Sequence, residues 1–450
     1  MSHQDGGKSL EREIAPAQDE SVSETMTTTE APASATHGRI GLPTASALYV
    51  AAVLGTGILV LPGLGVAAAG PASILAVAAV FALSIPLAAT FAALAGRFPD
   101  GGGVATFVRL AFGDTAARIT GYLFLFGVGF GAPVVAALGG EYLSAALGLD
   151  RVWVAVIGIG FLTASLLLNL FGLRVSGRAQ LGLSGLLVVV VASVILVAAP
   201  SVDTANFTPF MPHGWAGVGL AVSLFVWAFA GGEAITHLAH EFRNPRRTVA
   251  WATVIGMGIV GLAYLSLQFV TVGVFGSTRA ASQAPLIDLV AINLPDAGPA
   301  LVAGIAAVIV LGVLNAYVPA FGNLAASLGR DGHLPRAFAK GAEAGAVPRR
   351  AIALVAVLNL GYASVFFAFG FELQTFILIH TSAMVALYFL GMLAAVRLLE
   401  RGTLGWWMAL LSVVLTGALL ALAWANLLVP AVVTLAALAV TVIRRIRARS

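Results

Sequence analysis

The sequence predicts an all-α membrane protein with about twelve transmembrane helices. Hydrophobic residues make up 59% of the 450 residues and charged residues only 10%, whereas a soluble domain carries about 25% charged residues. The apolar residues form runs long enough to cross a bilayer as helices. These runs lie near 45–69, 72–96, 116–147, 151–172, 180–199, 216–240, 248–275, 298–328, 350–369, 372–398, 404–423 and 426–443.

Loops rich in lysine and arginine alternate along the chain with loops that contain few of these residues. With the N-terminus placed inside, 19 of the 24 Lys and Arg residues fall in inner loops and at the C-terminus, and two (Arg151 and Arg279) fall in outer loops. Because cytoplasmic loops are enriched in these residues, we expect both termini in the cytoplasm and the chain in the cell membrane.

Three regions follow from the distribution of polar residues. Residues 1–40 are polar and rich in Ser, Thr and acidic residues, which predicts a disordered cytoplasmic tail. Residues 41–400 hold the first ten spans, which we expect to form a functional core. Residues 401–450 add two spans and a basic C-terminus.

The first span is interrupted near its middle by Gly55-Thr56-Gly57, and Pro62 follows. Glycine weakens a helix interior and proline removes a backbone donor. Lipid cannot pair the N–H and C=O groups that such a break releases, so they must face protein, water or a solute. The second half of the helix then offers free N–H groups and a positive dipole end, a seat for an anion such as a carboxylate. The alternative is a pair of packing glycines.

The sixth span shows the same pattern at Gly231-Gly232, directly before Glu233, and His237 follows on the same helical face. A carboxylate inside the bilayer is costly, so Glu233 should face a cavity or a partner. It either exchanges protons or only accepts hydrogen bonds from the broken backbone. His237 is either a proton carrier or a packing histidine.

Two interrupted helices five spans apart indicate an inverted-repeat transporter, with spans 1–5 and 6–10 as its repeats. Such proteins bind their solute near the bilayer midplane, where the repeats meet.

The residues around both breaks resemble the amino acid–polyamine–organocation (APC) superfamily. Gly55-Thr56-Gly57-Ile58 is similar to its glycine-rich break in span 1. Further stretches agree in order and spacing over roughly residues 40–400. They are Arg97-Phe98-Pro99-Asp100-Gly101-Gly102-Gly103 with Ala111-Phe112-Gly113, Ser176-Gly177-Arg178, Phe229-Ala230-Gly231-Gly232-Glu233 with Glu241-Phe242-Arg243-Asn244-Pro245-Arg246-Arg247, and Asn315 with Gly329-Arg330-Asp331-Gly332-His333-Leu334-Pro335.

The resemblance implies a LeuT-like fold of 5+5 inverted repeats with broken helices 1 and 6, and a secondary active amino-acid transporter. Within the superfamily the sequence is most similar to bacterial exporters of methionine and branched-chain amino acids. Efflux of methionine, leucine, isoleucine and valine is therefore expected from the resemblance, since the residues themselves do not encode direction.

The resemblance also implies a binding site at the two breaks. The solute carboxylate would bind the N–H groups of Gly55, Thr56 and Gly57, and its ammonium group the carbonyls of Trp227, Ala228 and Ala230. The apolar side chain would lie near Ile58, Phe229 and small residues of span 3 such as Gly127, Gly129 and Gly131. Gly231 completes the set of substrate-binding residues, and Glu233, His237 and Asn315 are expected to serve coupling or gating.

One position departs from proton-coupled relatives that carry a lysine in span 5. The matching residue here is Leu187, and the only lysines are Lys8 and Lys340, which excludes coupling through a lysine in span 5. Proton coupling through Glu233, sodium coupling and solute exchange without an ion all remain open.

Other functions fit the sequence less well. An importer or exchanger of the same fold is the nearest alternative. A channel would show a repeated pore motif, and a solute sensor would need a larger soluble domain than residues 1–40. An enzyme is least favoured, because no metal-ligand cluster, nucleophile–base pair or phosphate loop is evident. We expect no cofactor, no metal and no nucleic-acid partner.

Overall fold

The computed structural model of the protein describes residues 41–98, 103–172, 177–231, 244–276, 284–341 and 347–447. Every regular element in these ranges is helical. The tail predicted for residues 1–40 lies outside the described residues.

Sixteen α-helices are present in the described ranges. The first repeat of the predicted core contains α1 (Leu42–Leu54), α2 (Gly57–Ala69), α3 (Ser73–Arg97), α4 (Gly103–Phe112), α5 (Asp114–Tyr122), α6 (Gly131–Leu147), α7 (Arg151–Leu170) and α8 (Gly177–Ala198). The remainder contains α9 (Gly214–Phe229), α10 (Pro245–Phe275), α11 (Pro285–Ala291), α12 (Gly298–Arg330), α13 (Arg349–Ala368), α14 (Leu373–Leu398), α15 (Leu404–Leu422) and α16 (Leu428–Arg447).

Nine helical stretches of the described chain are long and apolar enough to cross a membrane. Four shorter apolar helices accompany them: Leu42–Ala51, Gly103–Phe112, Gly214–Ala228 and Leu428–Arg444. The first and third of these are halves of the spans that the sequence predicts to be interrupted. The protein is therefore a multi-pass, all-helical membrane protein, and the count of twelve spans stays a prediction.

The two interrupted spans lie at the centre of the bundle. Helix α2 packs against α9, α10 and α3, and α1 packs against α10 and α8. Helix α12 contacts α6, α7 and α13, and α14 contacts α9, α15 and the irregular middle of span 3. These contacts bring α1, α2, α6, α9, α12 and α14 around one region in the interior.

Two short helices lie in segments that the sequence analysis treated as loops. Helix α4 precedes span 3 and buries Val104, Phe107 and Val108 while Arg109 and Leu110 stay exposed. Helix α11 lies between α10 and α12 and is mostly buried. Both are too short to span a bilayer, which is why a search for long apolar runs does not detect them.

A polar cluster ties three separate elements together at one end of the bundle. Arg118 in α5 donates from Nε to Nδ1 of His333 at 3.1 Å and from Nη1 to the hydroxyl of Thr441 in α16. The hydroxyl of Tyr122 donates to the backbone oxygen of His333 at 2.7 Å. Because Arg118 can only donate, the first bond requires that Nδ1 of His333 carries no proton.

This cluster predicts a stability that declines in mild acid. Burial, and next the charge of Arg118, lower the pKa of His333 below its ordinary value of 6.5, while Asp331 and Asp114 oppose the change and Arg444 adds to it. As the pH falls below about 6.5, His333 binds a proton in the unfolded chain but not yet in the folded chain. The free energy of unfolding therefore decreases as the pH drops below that value. Each unit of pKa difference is worth about 1.4 kcal/mol.

The measurement is the thermal unfolding midpoint of the detergent-purified protein at about pH 7.5 and about pH 5.5. His333→Asn keeps an acceptor for Arg118 near the position of Nδ1 but does not titrate, so its midpoint should fall less than that of the wild type. Equal falls for the two proteins would contradict this role of His333.

Candidate solute-binding site

The first span is broken at Gly55 and Thr56, as the sequence predicts. Helix α1 ends at Leu54, and Gly55 has a φ of 30° and a ψ of −141° that an ordinary L residue rarely adopts. Helix α2 then begins at Gly57, and the N–H of Leu59 bonds back to the carbonyl of Thr56 at 3.1 Å. Thr56 is buried, so the break lies inside the protein.

Side chains from neighbouring helices bond to backbone oxygens on both sides of the break. The Tyr264 hydroxyl in α10 donates to the carbonyl of Leu54 at 3.3 Å. The Tyr142 hydroxyl in α6 donates to the carbonyl of Leu59 at 2.5 Å and accepts from the N–H of Leu286 in α11 at 3.4 Å. Both tyrosines are fully buried. They bond the two half-helices to α6 and α10.

Gln268 in α10 extends this support along α2. Its Nε2 donates to the carbonyl of Pro62 at 3.3 Å and to Oγ of Ser73 at 2.7 Å. The Ser73 hydroxyl donates in turn to the carbonyl of Gly70 at 2.6 Å. The middle of α2 is thus bonded to α10, and the residue after its C-terminal end is bonded to the start of α3.

The carbonyl oxygens near the break are paired with side chains, but the N–H groups at the break are different. Within the described chain, the N–H groups of Gly55, Thr56 and Gly57 donate no hydrogen bond to another residue. A helix leaves its first N–H groups without an intrahelical partner. Because buried backbone donors are nearly always paired, these three are available for an anionic group of a ligand.

The second break begins where the sequence predicts it. Helix α9 ends at Phe229, and Ala230 turns into an extended conformation while its N–H caps the carbonyl of Val226 at 3.0 Å. Gly231 follows with a φ of 110°. Gly232, Glu233 and His237 lie outside the described residues, and the Phe229 side chain is likewise not described.

A cavity of about 640 Å³, including the open space at its mouth, lies between the two breaks. Most of its walls are apolar, and no Asp, Glu, Lys or Arg is among the described lining residues. They are Val53, Gly55, Thr56, Gly57, Val128, Gly129, Gly131, Ala132, Val135, Trp227, Ala230, Val313, Leu314, Tyr317, Val318, Phe321, Asn359 and His380.

Span 3 is irregular where it faces this cavity. A π-helical turn at Leu123–Gly127 and a 3-10 turn at Val128–Phe130 separate α5 from α6. Tyr362 in α13 donates to the carbonyl of Phe126 at 3.1 Å, and Nδ1 of His380 lies 2.7 Å from the carbonyl of Val128. Single π-helical turns inside α-helices are frequent at functional sites.

The structure brings together five of the predicted substrate-binding residues. Gly55, Thr56, Gly57, Trp227 and Ala230 all line the cavity. The predicted glycines of span 3 divide: Gly129 and Gly131 line it, whereas Gly127 packs against Ala383.

The remaining described candidates lie elsewhere. Ile58 and Ala228 are fully buried in the surrounding core rather than on the cavity wall, and Gly231 lies at the turn after α9. The side-chain oxygen of Asn315 accepts from Nδ2 of Asn169 in α7 at 2.7 Å. Asn315 therefore joins α12 to α7 on the side away from the cavity.

Three polar residues of the described lining were not predicted as site residues. His380 in α14 and Asn359 in α13 are both buried, and Tyr317 in α12 is partly buried. Each is a polar side chain inside an apolar span, which is itself a signal of function in a membrane protein. That signal was available from the sequence. The sequence did not show that spans 9 and 10 pack beside the two breaks.

The break in span 1, the end of α9 within span 6 and the cavity between them are typical of membrane transporters with interrupted helices. A family model described as "Amino acid permease" matches residues 40–443. The chain belongs to this family, which is part of the APC superfamily.

Three similar proteins illustrate the range of the family. The chain is 32% identical to the uncharacterized amino acid permease YecA of Bacillus subtilis (strain 168), over 87% of this chain and 92% of that protein. It is 28% identical to the L-methionine/branched-chain amino acid exporter YjeH of Escherichia coli (strain K12), over 80% and 86%. It is also 28% identical to the branched-chain amino acid permease BcaP of Bacillus subtilis (strain 168), over 65% and 67%. These relatives are transporters and not enzymes.

The close packing around Gly57 makes a direct prediction. A Cβ added there would lie 2.5 Å from the Tyr264 hydroxyl and 3.0 Å from Cδ1 of Trp227. Gly57→Leu should therefore displace these rings into the cavity and abolish solute binding while the bundle stays folded. The measurement is a scintillation-proximity binding assay on the purified variant.

A matched control is Gly304→Leu in α12, where an added Cβ meets nothing within 4 Å. This variant should bind like the wild type. Unchanged affinity in Gly57→Leu would exclude a role of this break in binding.

Proposed function

We propose that the protein is a secondary active transporter that exports small apolar amino acids, namely methionine, leucine, isoleucine and valine, by alternating access. The solute carboxylate binds the N–H groups of Gly55, Thr56 and Gly57, and the ammonium group binds backbone carbonyls at the end of α9. The apolar side chain occupies the part of the cavity formed by span 3 and α12.

The observation that carries this proposal is the placement of three unpaired N–H groups at the edge of an apolar cavity. A carboxylate gains charge-assisted hydrogen bonds from such donors and from the positive end of the α2 dipole. The described walls nearby, including Val135, Val313 and Phe321, offer no partner for a charged solute side chain. Burying an unpaired charge is costly, which favours apolar amino acids over basic or acidic ones.

Export is favoured by the similarity to YjeH, which is named an exporter. Import or exchange is the second candidate, favoured by the similarity to BcaP, which is named a permease. Nothing in the cavity distinguishes the two directions, because alternating access uses the same site from both sides.

The test is transport by the purified full-length chain in proteoliposomes. Counterflow of radiolabelled L-methionine and L-leucine should be strong when the vesicles hold unlabelled methionine, whereas L-arginine and L-glutamate should not be exchanged. Preloaded vesicles with an imposed pH gradient then give the direction and the driving ion. Exchange of arginine in preference to methionine would refute the proposed specificity.

We propose that both termini face the cytoplasm, from the distribution of Lys and Arg between loops. A fluorescent protein that matures only in the cytoplasm, fused after Ser450, should be bright in cells. Alkaline phosphatase, which is active only outside the cytoplasm, should be inactive at the same position. The reverse pair of results at normal expression would contradict the proposed topology.

Coupling to protons through Glu233 is a separate proposal, motivated by a carboxylate directly after the second break. Leu187, at the position of a lysine in some relatives, cannot carry a proton. Glu233→Gln keeps the size of the side chain and much of its hydrogen bonding. Unlike a carboxylate, the amide does not gain or lose a proton in the physiological pH range.

The variant should therefore retain methionine counterflow and lose accumulation driven by a pH gradient. Asp296→Asn, which changes an exposed carboxylate outside the spans, is the matched control and should transport like the wild type. A Glu233→Gln protein with normal gradient-driven transport would remove Glu233 from the coupling mechanism.

A further inference from the structure

His380 occupies a position in the cavity wall that the family resemblance does not assign. It lies in the middle of α14, is 5% exposed, and lines the cavity between the two breaks. Its ring centroid lies 4.3 Å from that of Trp227 in α9. The imidazole therefore stands beside the residue that closes one side of the proposed binding site.

The hydrogen bond to Val128 determines which ring nitrogen carries the proton. Nδ1 lies 2.7 Å from the carbonyl oxygen of Val128, and a carbonyl oxygen can only accept. Nδ1 must therefore be the donor. In a neutral imidazole the other nitrogen, Nε2, then holds a lone pair and accepts hydrogen bonds. No Asp or Glu is among the described lining residues that could stabilise an imidazolium.

Nε2 has no hydrogen-bond partner among the described residues. A histidine with the purely structural role of pairing the Val128 carbonyl oxygen would use only Nδ1. The second nitrogen remains as an acceptor in a cavity whose walls are mostly apolar. Since a buried polar atom is normally paired, this acceptor is suited to a donor that arrives with the solute.

The indole of Trp227 connects His380 to the first break. A Cβ on Gly57 would lie 3.0 Å from Cδ1 of Trp227, and a Cβ on Gly131 would lie 3.1 Å from Cη2 of the same ring and 2.7 Å from Nδ1 of His380. The unpaired N–H groups and the imidazole thus stand at opposite ends of one indole. Donors lie at one end and an acceptor at the other, and the indole face between them favours a cation.

We propose that Nε2 of His380 accepts a hydrogen bond from the ammonium group of the bound amino acid. His380 is then a substrate-binding residue that selects α-amino acids over carboxylates lacking the amino group. This inference rests on the proposed function and adds a side-chain acceptor to the backbone carbonyls of α9. It requires a neutral ring, because an imidazolium would repel the ammonium group.

The test compares two ligands that differ only in the amino group, L-methionine and 4-(methylsulfanyl)butanoate. Binding of each to the purified full-length protein is measured by calorimetry or by displacement of labelled methionine. His380→Asn keeps an N–H for the Val128 carbonyl and removes Nε2, whereas His380→Gln restores an acceptor near the position of Nε2. Thr381→Val, on the same helix but not on the cavity wall, is the control.

His380→Asn should weaken methionine binding by about tenfold, the worth of roughly 1.4 kcal/mol, and leave the affinity for the desamino ligand nearly unchanged. His380→Gln should recover most of the preference for methionine, and Thr381→Val should match the wild type. A His380→Asn protein that keeps the wild-type ratio of the two affinities overturns the inference, whether both affinities are unchanged or both fall by the same factor.

A second measurement needs no variant. Diethyl pyrocarbonate acylates an imidazole nitrogen that holds a lone pair, and peptide mass spectrometry reads each histidine separately. Saturating L-methionine should slow acylation of His380 and leave exposed His213 unaffected. Acylation of His380 that methionine does not slow overturns the inference. If the wild type binds no methionine at all, the proposed function fails instead, so the two failures are distinct.

Discussion

The structure depends on how the backbone groups released at the break between α1 and α2 are paired inside an apolar medium. Lipid offers no hydrogen bonds, so each released group must find a partner in the protein or in a ligand. Tyr264, Tyr142 and Gln268 bond to carbonyls on the two half-helices. Within the described part of the chain, the N–H groups at the break have no such partner. This asymmetry is the basis of the proposal that a group that accepts hydrogen bonds binds at the break.

The same requirement explains why the supporting side chains come from distant parts of the sequence. Tyr142 joins α6, α2 and α11 through one hydroxyl, and Gln268 joins α10 to α2 and α3. A change in the break therefore alters α6, α10 and α11 together. In span 3 the irregular turns are stabilised in the same manner, by Tyr362 and His380. Two irregular backbone segments that line the cavity, the break in span 1 and the middle of span 3, are thus each bonded to side chains of neighbouring helices.

The breaks themselves could be predicted because their cause is local. Glycines at 55, 57 and 231 weaken the helix wherever it is placed, and an apolar run shows where the membrane is. The family resemblance added a prediction of which groups bind which end of the solute. The sequence could not show the partner of Asn315 in span 8, which is Asn169 in α7, and its expected role in gating stays a prediction.

The irregular turns of span 3 could not be predicted from the sequence. Residues 123–130 are apolar and aromatic and contain two glycines, a composition that suits a regular helix equally well. Carbonyl oxygens in these turns accept hydrogen bonds from side chains that lie 236 and 252 residues further along the chain. The search for long apolar runs did not detect helices α4 and α11, because these helices are short and are stabilised by burial against the bundle. His380 was visible as a polar residue in span 10, but its neighbours were not.

The binding mechanism proposed above requires that the solute occupies the cavity between the two breaks. The chain contains no cysteine, so a single cysteine can be placed at Val135 on the cavity wall, with Asp296→Cys in an exposed segment as the reference. The most direct measurement is the rate at which a water-soluble thiol reagent modifies each cysteine as L-methionine is added. We expect methionine to slow modification at Val135→Cys with the concentration dependence of its binding and to leave Asp296→Cys unaffected. Modification at Val135→Cys that saturating methionine does not slow, in a variant shown to bind methionine, would contradict the proposed mechanism.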